Sequence, residues 1–224
     1  MQKMKKPMSI LLSFIMVFSL FTIIPVTANA AQGVEYIYRT WDYDNKRLVE
    51  ETRTCTDYTD LSGYAANKDH TLTQGWYVAA NVTFGKLTIT GEVHIIVPDN
   101  VTMRCTKGII VVHKLNIYGQ QNDEGTLDVT NSTHDCAAIG GSDLFETGDI
   151  NIFGGTVKAE SSDDAAGIGS GEDHGYTSVN IYGGKVTAIG SSYGAGIGSG
   201  ASGKFGTVRI YGDRRRTRRG HRRR

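Results

Sequence analysis

A glycine-rich phrase recurs at a fixed distance. AAGIGSG at 165–171 returns as GAGIGSG at 194–200, and CAAIGGS at 136–142 precedes both. Ile139, Ile168 and Ile197 are therefore 29 residues apart. So are Ile150, Val179 and Val208; Ile152, Ile181 and Ile210; and Phe153, Tyr182 and Tyr211. Between 150–178 and 179–207, 13 of 29 positions are identical. Self-similarity at one fixed offset means stacked copies of one unit. A looser copy, LNIYGQ at 115–120, lies 35 residues before INIFGG at 150–155 and leaves room for a six-residue insertion.

Within each unit the apolar residues alternate. VNIYGG places Val179 and Ile181 on one face, with Asn180 and Tyr182 on the other. Alternation of this kind predicts short strands with one buried face. The glycine clusters between them supply turns. A lone unit cannot bury its apolar face, but stacked units can, because each Ile rests on the Ile of the next. The expected fold is all-β: a parallel β-helix with 29-residue coils, right-handed by the general crossover preference. An antiparallel β-sandwich is the alternative, which the strict period disfavours.

Upstream of the strict repeat, residues 76–119 also alternate. Val82/Phe84, Leu87/Ile89, Val93/Ile95/Val97, Val101/Met103 and Ile109/Val111 predict five short strands of less regular coils. Before them, residues 36–54 read as two strands joined near DYDNK, an Asp/Asn-rich turn. Solenoids need a polar end cap, and residues 31–75 are expected to form it. The repeats then occupy residues 76–213.

The two ends of the chain read differently from its middle. Lys3, Lys5 and Lys6 precede an apolar run from Ile10 to Ile24, followed by Ala28-Asn29-Ala30. Residues 1–30 thus read as a secretory signal peptide, which predicts an extracellular or cell-surface location and no membrane span after cleavage. Residues 214–224 hold eight arginines, whereas residues 31–213 hold 13 Lys and Arg against 23 Asp and Glu. The acidic body is not expected to bind nucleic acid. The tail reads either as a polybasic segment or as the product of a shifted reading frame, since Gly codons of the GGC type become Arg codons on a one-base shift.

Chemistry-bearing residues are few. Tyr118, Phe153, Tyr182 and Tyr211 form one outward column, expected either to tie coils together or to stack sugar rings. Tyr176 and Phe205 form a second. Asn151 and Asn180 are in register and predict a coil-to-coil hydrogen-bond ladder. Asp135 and Asp164, beside His134 and Asp163, are candidate Ca²⁺ ligands. No other cofactor is expected. Cys55, Cys105 and Cys136 read as three buried thiols, or as one free thiol and a Cys105–Cys136 bridge. No His-Glu-x-x-His or phosphate-binding glycine loop is present. No catalytic residue is expected.

The phrases GWYVAANVTF, GEVHIIVPDNVTM and LNIYGQ, followed by CAAIGGS, AAGIGSG and GAGIGSG, resemble glycine-rich secreted or surface β-helix repeat proteins of Gram-positive bacteria. These are grouped with carbohydrate-binding, pectin-lyase-like β-helix domains. The resemblance spans about residues 36–212. It implies a non-catalytic module that binds polysaccharide or surface glycan. The alternatives are a structural or adhesive stalk that contacts a protein partner and, further off, a polysaccharide lyase.

Overall fold

The computed structural model describes residues 33–212, apart from 143–146, 163, 174, 176–177 and 205. The segment read as a signal peptide, the arginine-rich tail, the Tyr176/Phe205 column and Asp163 lie outside the described residues.

The chain winds into a three-sided parallel β-helix. One side, the aromatic face, contains β3 (Thr59–Asp60), β5 (Gly75–Val78), β8 (Glu92–Ile96), β11 (Lys114–Tyr118), β14 (Asp149–Ile152), β17 (Ser178–Ile181) and β20 (Thr207–Ile210). The glycine face contains β4 (His70–Leu72), β7 (Leu87–Ile89), β10 (Ile109–Val111), β13 (Ile139–Gly140), β16 (Ile168–Gly169) and β19 (Ile197–Gly198). The third face contains β6 (Thr83–Phe84), β9 (Thr102–Cys105), β12 (Thr126–Asn131), β15 (Thr156–Ser161) and β18 (Lys185–Ile189). All pairings within these sheets are parallel. The five strands expected between 82 and 111 are all present.

Register fixes the coil lengths. Ile152 pairs with Ile181, and Ile181 with Ile210, a step of 29 residues each time. Earlier coils are irregular: Ile117 to Ile152 is 35 residues, Ile95 to Ile117 is 22, and Tyr77 to Ile95 is 18. The uniform 29-residue coil therefore holds only for the last two steps. Length differences collect in the turns, while the strands that fill the core keep step.

The core is the stack of inward residues. Leu115, Ile117, Ile150, Ile152 and Val179 from the aromatic face are fully buried, as are Met103, Cys105 and Leu127 from the third face and Leu87, Ile109 and Ile168 from the glycine face. Each buried Leu, Ile or Met contributes about 1.5–3 kcal/mol relative to exposure. The glycines let coils approach closely. Gly140 and Gly169 have φ of +144° and +140°, and a Cβ on either would overlap the carbonyl oxygen of the glycine one coil on. Two constraints, backbone angle and space, thus select glycine at these positions.

Residues 34–55 do not cap an end. β1 (Val34–Asp42) and β2 (Arg47–Cys55) form an antiparallel hairpin in register from Val34/Cys55 to Asp42/Arg47. Asp42 closes the turn by accepting from the Asp44 and Asn45 amides. The hairpin lies along the aromatic face, where the Ile37 amide donates to the Gly119 carbonyl at 3.0 Å. The solenoid itself begins at Thr59, because β3 and β4 pair in register with Tyr77 and Leu87. The expected cap over residues 31–75 is therefore two things: a side-on hairpin and the first coil. A 3-10 turn at Leu61–Gly63, capped by Asp60, buries Leu61 completely and closes the N-terminal end.

Candidate functional site

The expected column exists and is longer than its four sequence candidates. Trp76 stacks on His94 at 4.2 Å between centroids, and His94 lies near-parallel to Tyr118. Tyr118, Phe153, Tyr182 and Tyr211 follow at 4.7, 5.0 and 4.6 Å, their planes within 7° of parallel. These spacings match one strand-to-strand step, so each ring sits on the ring of the next coil. Trp76 and His94 escaped the sequence reading because they are in register with Asn116, two residues before Tyr118, whose own register partners are Ile96 and then Val78.

The hairpin covers most of this column. Tyr36 packs against both Trp76 and Tyr118, Tyr38 against Phe153, and Trp41 against Tyr211. Tyr118 and Phe153 are left 3% and 7% exposed. They form a second apolar core with Tyr36, Cys55, Val78 and Ile96, outside the solenoid. An open four-ring platform through Tyr118 and Phe153 is therefore corrected: an outward aromatic stack has a large apolar area to bury, and the hairpin buries it.

Arg39 fastens the cover. Its guanidinium is buried and donates to both Asp123 carboxylate oxygens, at 3.2 and 2.9 Å, and to Glu50 at 2.7 Å. A further bond goes to the Phe153 carbonyl at 2.6 Å. Burial works against the charge, but Asp123 and Glu50 outweigh it and hold Arg39 firmly protonated. The repeat's glycine pairs make room for it. A Cβ on Gly154 would lie 2.5 Å from Arg39 Nη1, and one on Gly183 would lie 2.6 Å from Arg39 Cδ. Gly155 and Gly184 then turn the chain with φ of +80°.

At the hairpin tip the column is open. Tyr43 is 71% exposed, and its hydroxyl lies 3.3 Å from that of Tyr211. Trp41, Tyr182 and Tyr211 are half-buried. The Tyr43 contact and partial burial push the Tyr211 phenol up to about 12, so it stays a neutral donor. Of the four sequence candidates, Tyr182 and Tyr211 reach this tip and Tyr118 and Phe153 do not. Trp41 and Tyr43 were missed, although the alternating aromatics of YIYRTWDY carried the signal.

Asn151 donates to Asn116 at 2.9 Å and Asn180 donates to Asn151 at 3.0 Å. The asparagine ladder thus links three coils.

The acidic candidates gather differently from their repeat register. His134, Asp135 and Glu172 bring one ligand atom each to within 4.8 Å of one another, with His134 Nδ1 2.5 Å from Asp135 Oδ2. Glu172, not Asp164, completes the group. Hydrogen bonding and repulsion from Asp135 raise the Glu172 proton affinity, with Asp173 and Asp164 adding to it. Two carboxylates fall well short of the six to eight oxygens that calcium takes.

The three cysteines are buried, and Cys55 and Cys105 are free thiols. Cys105 points into the core in register with Val129, not with Cys136, so the considered bridge is not formed. Burial pushes its thiol up to about 12.

Residues 150–172 and 179–201 each match the family described as Beta helix repeat. These two coils are β-helix repeats, in keeping with the parallel β-helix of the structure. The two matched segments coincide with the two coils whose register is 29. No curated protein and no solved structure matches the chain. Among the described residues, no helix is long and apolar enough to cross a membrane.

Proposed function

We propose that this protein is an exported, non-catalytic β-helix module that binds polysaccharide or surface glycan through the aromatic cluster at the hairpin tip. The observation that carries the reading is the meeting of Tyr43 and Tyr211, hydroxyl to hydroxyl, beside the half-buried rings of Trp41 and Tyr182. Aromatic faces offer apolar area to the C–H face of a sugar, and the phenols add hydrogen bonds at its edge. Small clusters of Trp and Tyr dominate binding energy where they anchor a contact. The rest of the column serves as the floor on which the hairpin places Trp41 and Tyr43.

The competing reading is a stalk that contacts a protein partner. It is favoured by the burial of Tyr118 and Phe153, which removes the longest part of the aromatic ladder from solvent. A glycan array on the mature chain, run beside Trp41→Ala/Tyr43→Ala, separates the two. Retention of polysaccharide by the wild type, weakened about tenfold or more in the variant, is the expected result. A wild-type chain that retains no polysaccharide leaves the stalk.

A further inference from the structure

Glu35, Ile37 and Arg39 alternate along β1 and so share one face of the hairpin. At Arg39 the joint with the solenoid is filled. The guanidinium bridges a hairpin carboxylate, Glu50, and the carboxylate of a solenoid turn, Asp123. Beside Glu35 and Ile37 the joint holds a cavity of about 180 Å³. Glu35, Tyr36, Ile37 and Thr52 of the hairpin form one wall. Asp99, in the turn after β8, and Gln120 and Gln121, in the turn after β11, form the other. Here too a hairpin carboxylate and a turn carboxylate share a site, but no basic side chain lines it.

The frame of this cavity is fixed by its own bonds. Asp99 accepts from the Glu124 amide and from the Asn122 side chain, each at 3.0 Å. The Asp99 amide donates to Gln120 Oε1 at 3.0 Å, and Gln120 donates to the Glu35 carbonyl at 2.9 Å, which ties the two walls together. Among the described residues nothing bonds the Glu35 carboxylate, the Thr52 hydroxyl or the Gln121 amide, so these polar groups are left for a ligand. A cavity of roughly 150 Å³ admits one benzene ring, so this one has room for one six-membered ring and not for two. Buried Tyr36 and Ile37 supply apolar contact, and the few polar groups around them fix orientation. A cleft lined by one sign of charge concentrates the opposite sign. We infer that this cavity binds one pyranose residue carrying a protonated amine, with Glu35 receiving the ammonium and Thr52 and Gln121 meeting ring hydroxyls. This names a sugar class for the glycan reading above and rests on that reading. It does not rest on the aromatic tip, which lies at the other end of the hairpin.

Titration of the mature chain with glucosamine, glucose and glucuronate, followed by amide NMR at a pH that keeps the amine protonated, tests it. Glucosamine is expected to give saturable shifts at the amides of Ile37, Thr52, Gln120 and Gln121. Glucose should give the same shifts about tenfold more weakly, because it lacks the charged hydrogen bond, and glucuronate should give none. Glu35 is exposed, so Glu35→Gln leaves the hairpin docked and should bring glucosamine down to the level of glucose. Trp41→Ala/Tyr43→Ala should leave these titrations unchanged, which separates the cavity from the tip. A loss of glucosamine binding in that variant would place the contact at the tip and overturn the inference. No saturable glucosamine shift at the four amides overturns it too, and retention of polysaccharide by the same chain would then leave the tip reading standing. Glucuronate that binds as tightly as glucosamine, or a Glu35→Gln chain that keeps the preference for the amine, also overturns it.

Discussion

The Arg39 guanidinium donates to the Phe153 carbonyl at 2.6 Å across 114 residues of sequence. This bond joins the hairpin to the turn that follows β14. It places the hairpin's one buried cation beneath Asp123 and above the glycine corners at 154 and 183. Removing the guanidinium strands a partly buried carboxylate and a carbonyl. Arg39→Ala is expected to cost about 3 kcal/mol, read as a lower urea midpoint. Arg39→Lys should recover little of it, because an ammonium cannot bridge both Asp123 oxygens.

Gly183→Ala tests the same seat from below. The added methyl would meet the Arg39 side chain, a flexible group, rather than backbone. The expected result is loss of hairpin docking with the solenoid intact. Amide exchange should rise at Ile37 while Ile152 and Ile181 stay protected. Gly169→Ala contrasts with it. There the methyl meets the Gly198 carbonyl at a φ of +140°, so a loss of at least about 3 kcal/mol in global stability is expected.

His94 makes the hairpin side of the molecule pH-sensitive. Burial against Trp76 and Tyr118 lowers its proton affinity, Glu92 opposes this, and Lys114 adds to it. Its folded value therefore lies below the ordinary 6.5, and the unfolded chain binds more protons in the window just beneath. Stability contributed by neutral His94 is full above 6.5 and is lost as pH falls through that window. Urea midpoints at about pH 7.5 and about pH 5.5 should differ more in the wild type than in His94→Gln. An equal difference in both would remove His94 from the account.

Asn151→Ala should break the ladder at its centre. Asn116 loses a donor to its side-chain oxygen, and Asn180 loses one of its two acceptors, keeping Ser178. With Asn116 only 4% exposed, the loss is expected to be about 2 kcal/mol, measured by thermal unfolding.

The strand positions from 82 to 111 and the three coils after residue 115 were legible because inward residues must stack on inward residues, which writes the pairing register into the sequence. Ile152, Ile181 and Ile210 are the plainest case. The asparagine ladder was legible for the same reason. β3 and β4 were not, since Thr59–Asp60 holds no apolar side chain and His70–Leu72 only one, so neither shows an alternation. The path of the hairpin was not legible either. YIYRTWDY shows alternation, but nothing local says that Tyr36 and Tyr38 lie on Tyr118 and Phe153, more than 80 residues away. That contact decides the candidate site, because it turns half of the expected sugar platform into core and leaves the tip.

The most direct test is tryptophan emission in a Trp76→Phe chain, where Trp41 is the one remaining tryptophan, titrated with polysaccharides that the wild type retains. The account predicts a saturable shift in Trp41 emission that Tyr43→Ala weakens. Retention of polysaccharide with Trp41 emission unchanged would contradict it and place the contact elsewhere on the solenoid.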